Sequence, residues 1–401
     1  MRRVNLRKDR TAHVGTIRDI NRRIVLNYVR DKEPISRAEI AREALLQRST
    51  VSIIVETLKT EGLIEEIGAG QSTGGRRPTL LRLCASGMTA IGVDIAPLRT
   101  TVAKSDFAGR ILKRREFPTD AKREKTLAKV IKSVRELAGE GATDLVEAIG
   151  VSLPGLVDPS NGIATYIPYF NWREWPIAKE LSAATGLQVI IDNDANAAAL
   201  AELWFGRREV SEARDFIMVL ISEGIGTGII FDGQIYRGAR SAAGEFGHMV
   251  VGEKSLIACS CGNRDCWEAF ASGRAAVARY AKSSRRRNGS NNHAIAMSDV
   301  VDRALGGEKA AVGALVETAH YLGIGISNLI VGLSPEAVIV GGEIIRAWPL
   351  IAGALEETVQ RSIRRGLPSV QIIASTLGSQ PTLMGAISLV LARKFASTRA
   401  A

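Results

Sequence analysis

The strongest constraint on this chain is an order of elements that occurs twice. Met88 to Ile95, Thr100 to Asp106 and Arg110 to Phe117 read as three short strands, joined by tight turns at Pro97 and Gly109. The spacing of Leu127, Val130, Ile131, Val134 and Leu137 predicts a helix over Lys122 to Glu140, and Ala148 to Leu153 is a further apolar strand. Asp215 to Ile221, Gly228 to Phe231 and Gln234 to Arg237 repeat the three-strand opening, with Gly224 to Gly228 as its first turn. A helix over Glu317 to Leu329 and strands over Ala337 to Val340 and Val370 to Ala374 follow. The repeated strand–strand–strand–helix–strand order predicts an α/β fold of two similar lobes with a cleft between them.

We read residues 88–210 as the first lobe, 211–380 as the second and 381–401 as a C-terminal helix. Ligands of α/β sheets bind beyond the carboxyl ends of the strands. At one such end Leu153 runs into Pro154-Gly155, where a backbone can approach a ligand. At another, Leu187 to Ile191 runs into Asp192-Asn193-Asp194-Ala195-Asn196. Asp194 is placed there as a general base or a hydroxyl acceptor. Capping the helix Ala195 to Phe205 is compatible with either role.

Three of the four cysteines, Cys259, Cys261 and Cys266, fall within eight residues, and His248 precedes them. Thiolates and imidazole are the ligands Zn²⁺ prefers, and one His with three Cys closes a tetrahedron, so one structural zinc per chain is expected. Gly262 lets the chain turn tightly enough for Cys261 and Cys266 to face one ion. Glu245 and Glu268 bracket these ligands. Carboxylates fixed beside a rigid knuckle suit the hydroxyls of a polar ligand; the alternative is a pair of solvated loop acids.

Residues 1–82 hold 17 Lys+Arg and 10 Asp+Glu, a surplus of 7 out of the +11 of the whole chain. That basic end points to nucleic acid. Ile20, Ile24, Val25, Tyr28 and Val29 share a helical face, Ser36-Arg-Ala-Glu39 is a capping box for a short helix Arg37 to Ala44, and a third helix spans Arg48 to Glu61. Two strands, Leu63 to Gly68 and Pro78 to Leu83, complete a winged helix-turn-helix over residues 1–69, with wing and linker at 70–87. In such modules the start of the third helix enters the major groove. Gln47, Arg48, Ser49, Thr50 and Ser52 lie there, and Arg76 and Arg77 at the foot of the wing suit phosphates or a narrow minor groove.

A charged start without an apolar run is not a secretion signal, and Ser327 and Asn328 break the apolar stretch Tyr321 to Leu333, so no membrane is expected. Metal-type cysteines fit a reducing cytoplasm. Ser283 to Asn292 reads as a solvated polar loop.

Asp192-Asn-Asp-Ala-Asn196, Ala243-Gly-Glu-Phe-Gly-His248 and Cys259-x-Cys-Gly-x-x-x-Cys266-x-Glu268 resemble the ROK family (repressors, open reading frames and sugar kinases), in its NagC/Mlc/XylR regulator type, and the likeness covers nearly the whole chain. The resemblance implies an actin-like (ribonuclease H-like) two-lobed sugar-kinase fold behind a winged helix-turn-helix. It implies zinc on His248, Cys259, Cys261 and Cys266, and a sugar against Gly155, Asn193, Asp194, Glu245, His248 and Glu268. Three stretches depart from the family pattern. Asp94-Ile-Ala-Pro-Leu98 stands where the kinases have Asp-x-Gly-x-Thr, and Ser222-Glu223 replaces a Gly-Thr in the second phosphate loop. Leu45 and Gln47 replace a glycine and a capping serine before the recognition helix.

The expected function is a cytoplasmic, sugar-responsive repressor. It would bind an inverted-repeat operator as a homodimer or homotetramer and be released by a sugar or sugar phosphate. The alternatives are a sugar kinase with an added DNA-binding domain, using Asp194 as its base, and a DNA-binding protein controlled by another protein.

Overall fold

The structure is a computed structural model that describes residues 14–70, 77–84, 88–139, 145–207, 210, 213–285, 295–363, 366–378 and 380–395. The chain begins with α1 (Val14–Lys32), β1 (Ile35–Ser36), α2 (Arg37–Glu43), α3 (Arg48–Thr60), β2 (Ile64–Ala69) and β3 (Thr79–Leu83). Helix α1 starts earlier than its apolar face predicts. The three strands form an antiparallel sheet in the order β1-β3-β2, and Val51, Ile54, Val55 and Leu58 turn one face of α3 into the core. Ser36 caps α2 through the expected box: its Oγ accepts from the Glu39 N–H at 3.3 Å, and Glu39 accepts from the Ser36 N–H at 2.9 Å. Leu45, at φ 54°, makes the left-handed turn between α2 and α3 without a glycine. That geometry costs a side-chain-bearing residue roughly 1–2 kcal/mol.

The first lobe runs through β4 (Met88–Ile95), β5 (Arg99–Asp106), β6 (Ile111–Pro118), α4 (Arg123–Gly139), β7 (Leu145–Leu153), β8 (Leu156–Asp158), β9 (Ile163–Ile167), β10 (Trp172–Trp175), α5 (Ile177–Thr185), β11 (Val189–Asn193) and α6 (Asp194–Phe205). The second runs through β12 (Phe216–Ile221), β13 (Ile225–Phe231), β14 (Gln234–Ile235), α7 (Trp267–Ala271), α8 (Gly273–Arg285), α9 (Met297–Leu305), α10 (Lys309–Leu333), β15 (Ala337–Gly342), α11 (Trp348–Ser362) and β16 (Gln371–Ala374). Helix α12 (Pro381–Phe395) ends the described chain. The two large sheets have the orders β11-β7-β4-β5-β6 and β14-β13-β12-β15-β16. In each, the lobe's first strand pairs antiparallel with its second and parallel with its fourth, so β4, β5, β7 and β11 correspond to β12, β13, β15 and β16. This is the duplicated α/β fold.

Four local expectations change. The glycines Gly226 and Gly228 lie inside β13, not in a turn; the turn is Ser222 to Gly224. Strands β8 to β10 form a small separate antiparallel sheet that sequence spacing does not announce. Ser283 to Arg285 end α8 instead of opening a loop, and the rest of that polar stretch, 286–292, lies outside the described residues. Helix α10 begins at Lys309, and its 25 residues are long and apolar enough to cross a membrane by length and composition. Here Leu315, Leu322, Ile326 and Leu329 on it are buried in the second lobe's core.

Helix α6 is alanine-rich on every side because it has neighbours on every side. A Cβ on Gly228 of β13 would stand 2.3 Å from the Ala195 carbonyl oxygen, and one on Gly385 of α12 would stand 2.4 Å from the Ala197 backbone. Helix α6 therefore touches the second lobe on one flank and α12 on the other.

The N-terminal module is not a bead on a string. Val25, Leu26 and Val29 of α1 share one apolar core with Phe107, Ile387, Val390, Leu391 and Phe395. Asn27 donates to the Phe395 carbonyl at 3.0 Å, and the Arg30 guanidinium lies 4.4 Å from the Trp204 ring and 5.0 Å from that of Phe395. Such cation–π contacts strengthen when shielded from water. Phe395 also stacks on Phe107 at 5.0 Å. Phe395→Ala should therefore cost about 3–5 kcal/mol, the usual toll for emptying a buried aromatic site. In denaturant it should split one unfolding transition into two, the N-terminal module melting first.

Candidate functional site

The carboxyl ends of β4, β7, β11 and β12 converge on one cleft of about 120 Å³ between the lobes. Its walls include Pro97, Gly155, Tyr169, Asn193 and Asp194 from the first lobe, and Glu223, Thr227, Glu245, His248 and Glu268 from the second. All six residues expected to meet a sugar thus lie at this one place.

Each is held by its own local device. Asn193 ends β11 and caps α6, its Oδ1 accepting from the N–H groups of Ala195 at 2.9 Å and Asn196 at 3.2 Å. Its Nδ2 donates to the Gly155 carbonyl at 2.9 Å. A Cβ at Gly155 would meet the Tyr166 carbonyl oxygen at 2.4 Å, so only glycine lets the two loops touch. Behind them Asp192, 1% exposed, pairs with Arg237 of the second lobe and ties the lobes together at the cleft's floor. Gly244 takes φ 87° and accepts through its carbonyl from the Thr227 hydroxyl, which seats the short 3-10 turn Glu245–His248 on β13. Glu268 leads α7, anchored by the buried Trp267, whose indole N–H donates to the Tyr321 carbonyl at 2.9 Å.

The acids are under electrostatic pressure. Asp194, half-buried, is pushed up to about 7, first by burial and then by the neighbouring Asp94 and Glu245 carboxylates. Asp94 is pushed up to about 6 by burial, against the hydrogen bond from Thr382. The Thr382 hydroxyl donates to Asp94 at 2.8 Å, so the acid at the head of the first loop holds the start of α12. Burial also raises Glu245, which His248 opposes, and Glu223, which Arg274 opposes.

His248, Cys259, Cys261 and Cys266 place their ligand atoms all within 4.8 Å of one another. Four ligands at about 2.3 Å from one ion stand about 3.8 Å apart, so the group is of the right size for a tetrahedral metal. The Cys261 and Cys266 sulfurs are 3.8 Å apart, and Cys259 Sγ lies 3.2 Å from Cys261 Sγ and 3.3 Å from His248 Nδ1. An antiparallel bridge between Val250 and Cys266 keeps the histidine turn beside the knuckle. The imidazole has two faces to offer. Its Nδ1 points to the sulfurs, while its Nε2 is 3.5 Å from Glu245 in the cleft. Glu268 touches both regions too, accepting from the Ser260 hydroxyl at 3.2 Å beside Cys259.

On the N-terminal module Gln47, Arg48 and Ser49 are exposed at the start of α3, and Thr50 and Ser52 are half-buried. Gln47 stands at the cap without a side-chain capping bond. Arg77 is exposed; Arg76 lies outside the described residues. One cleft residue escapes sequence spacing: Tyr169 reaches the cleft from the turn after β9, and only the aromatic run Tyr166 to Trp172 hints at it. On α3, Ile53 is 59% exposed.

The model of the family described as ROK family matches residues 90–393. The xylose repressor of Caldicellulosiruptor bescii is 32% identical over 94% of this chain and 96% of its own length. The crystal structure of a ROK family transcriptional regulator, a homologue of the E. coli MLC protein, aligns with TM-score 0.79 at 26% identity over 95% of this chain and 97% of that one. A ROK family glucokinase from Streptomyces griseus, solved with glucose and AMPPNP, aligns with TM-score 0.68 at 31% identity, covering 75% of this chain and 98% of that one.

Folding raises the pKa of Asp194, so the folded state holds its proton more tightly than the unfolded chain does. The group's contribution to stability is thus lost as pH rises from about 4 through about 7. Asp194→Asn should raise the thermal midpoint most at about pH 8, with the gain shrinking toward about pH 4. A gain of equal size across that range would show that the carboxyl titrates normally.

Proposed function

The chain belongs to the ROK family, and from that premise we propose that it is a sugar-responsive DNA-binding repressor. The observation that carries the reading is one chain in which the first lobe, whose strand ends open on a cleft lined by acids, shares an apolar core with a three-helix N-terminal module. The full-length repressor relative spans the N-terminal module as well as the lobes, whereas the glucokinase covers 75% of the chain.

Ring hydroxyls are donors and acceptors in fixed directions, and several carboxylates can take them at once. Asp194 accepts from one side, Glu245 and Glu268 from the other, and His248 donates through Nε2. Tyr169 offers a ring edge or face at the rim. A sugar held from both sides favours the closed cleft, since only there do both sides reach it. The same residues do not make a kinase. Pro97 has no N–H to give a phosphate, and Glu223 would set a carboxylate against it. The kinase reading keeps one observation, Asp194 pushed up to about 7, a fitting value for a base. Sugar-dependent ATP turnover at several per second would establish it.

The metal of the Cys₃His group is zinc, which thiolate-rich closed sites favour. It supplies no water activation; it stiffens the loops that carry Glu245, His248 and Glu268. Carefully purified protein should hold one zinc per chain, and Cys261→Ala should lose both metal and sugar affinity. Protein that is folded, sugar-binding and zinc-free would remove the metal from the account.

On DNA, the start of α3 enters the major groove, with Arg48 on a base and Arg76 and Arg77 on the backbone of the wing side. One recognition helix reads too few base pairs, so two chains, or a dimer of dimers, meet an inverted repeat. The direct test is to form the complex with a duplex enriched from a random library and add a panel of sugars and sugar phosphates. Xylose leads the panel because full-length relatives are named for it. At saturation one member should weaken the complex about 5–150-fold. A complex indifferent to every member would sink the inducer reading.

A further inference from the structure

We infer that Ile53 reads a thymine methyl group in the major groove, a specificity contact that rests on the DNA-binding reading above. Helix α3 buries Val51, Ile54, Val55 and Leu58. At about 100° per residue this sets Ser49, Ile53, Glu56 and Thr60 on the opposite side. Ile53 is the middle of that outward stripe, within the first two turns of the helix, the part that enters the groove in winged-helix modules. It is 59% exposed, a branched alkyl group among hydroxyls.

Isolated exposed apolar residues are common on protein surfaces. This one differs in its surroundings. The acid on the stripe, Glu56, is turned to Arg37 at 2.6 Å and to Lys59 at 3.6 Å. Arg37 and Lys59 also hold Glu66, at 2.6 Å and 2.9 Å. The carboxylates are thus drawn toward the ribbon and matched by cations, and the face left to the groove carries Ser49, Ser52, Ile53 and Thr57. Hydroxyls can bond to any base edge, so they discriminate little. A branched alkyl group has one favoured partner there, the C5-methyl of thymine, because the other base edges present polar atoms that it cannot satisfy. Ile53 therefore fixes at least one T·A pair per half-site.

The test uses the full chain and a duplex enriched from a random-sequence library. Each thymidine of the enriched site is replaced in turn by deoxyuridine, which removes only the methyl group. At one position per half-site the wild-type protein should lose about fourfold in affinity, the worth of one methyl withdrawn from an apolar contact. Ile53→Ala should bind the unmodified site more weakly and show no further loss on that replacement. Ile53→Val, which keeps the branched methyls, should retain most of the response. An Ile53→Ala protein that responds to deoxyuridine as the wild type does overturns the inference, as does a site where no replacement matters. A library from which nothing is enriched overturns the DNA-binding reading and this contact with it.

Discussion

The structure depends on the close packing of α6. This helix is pressed so tightly between the second lobe and α12 that glycine faces it from both neighbours. Contacts of that kind leave no slack, and a helix without slack moves as a rod when either end is pushed. Its amino end carries Asn193 and Asp194 at the cleft; its carboxyl end carries Trp204, against Arg30 of the N-terminal module. Helix α12 makes the same journey, from Thr382 bound to Asp94 to Phe395 in the shared core. Two helices thus run from the cleft to α1 of the N-terminal module, whose core α3 shares.

The Cys₃His cluster and the cleft share residues. His248 uses one nitrogen for the sulfur cluster and leaves the other toward Glu245. The loop that carries the cluster has little regular structure of its own, and Glu245 and Glu268 lie at its two ends. Asp194 and Glu245 are both raised by burial, and a hydroxyl donated to either carboxylate favours its charged form.

Much of this was legible in the sequence because it is local. Strand ends followed by Pro154-Gly155 and by Asp192 to Asn196 mark where a cleft must open, and three cysteines within eight residues mark a cluster that could hold a metal ion. The lobes announce themselves by repeating their order. What sequence spacing misses is tertiary. The small sheet β8 to β10 is held by packing of Phe170, Trp172 and Trp175, not by alternation, so Tyr169 goes unnoticed. The glycines of β13 read as a turn because their purpose, close approach of α6, lies on another element. The joint between Arg30, Trp204 and Phe395 brings together residues hundreds of positions apart, and no local pattern marks it. Leu45 holds a left-handed turn that a glycine would take without strain, because α2 and α3 on either side dictate it.

In the proposed repressor, the cleft and the face that meets the operator are two ends of one mechanical unit. Linkage makes the claim measurable: whatever factor the sugar takes from operator affinity, the operator must take from sugar affinity. The measurement is calorimetric titration of the inducing sugar into free protein and into the protein–operator complex, for the wild type and for Trp204→Leu. Sugar affinity should be weaker in the wild-type complex, by about 5–150-fold. In the variant, whose ring no longer grips Arg30, the two sugar affinities should nearly coincide while operator and sugar each still bind. Equal affinities in the wild type, or an undiminished difference in the variant, would contradict it.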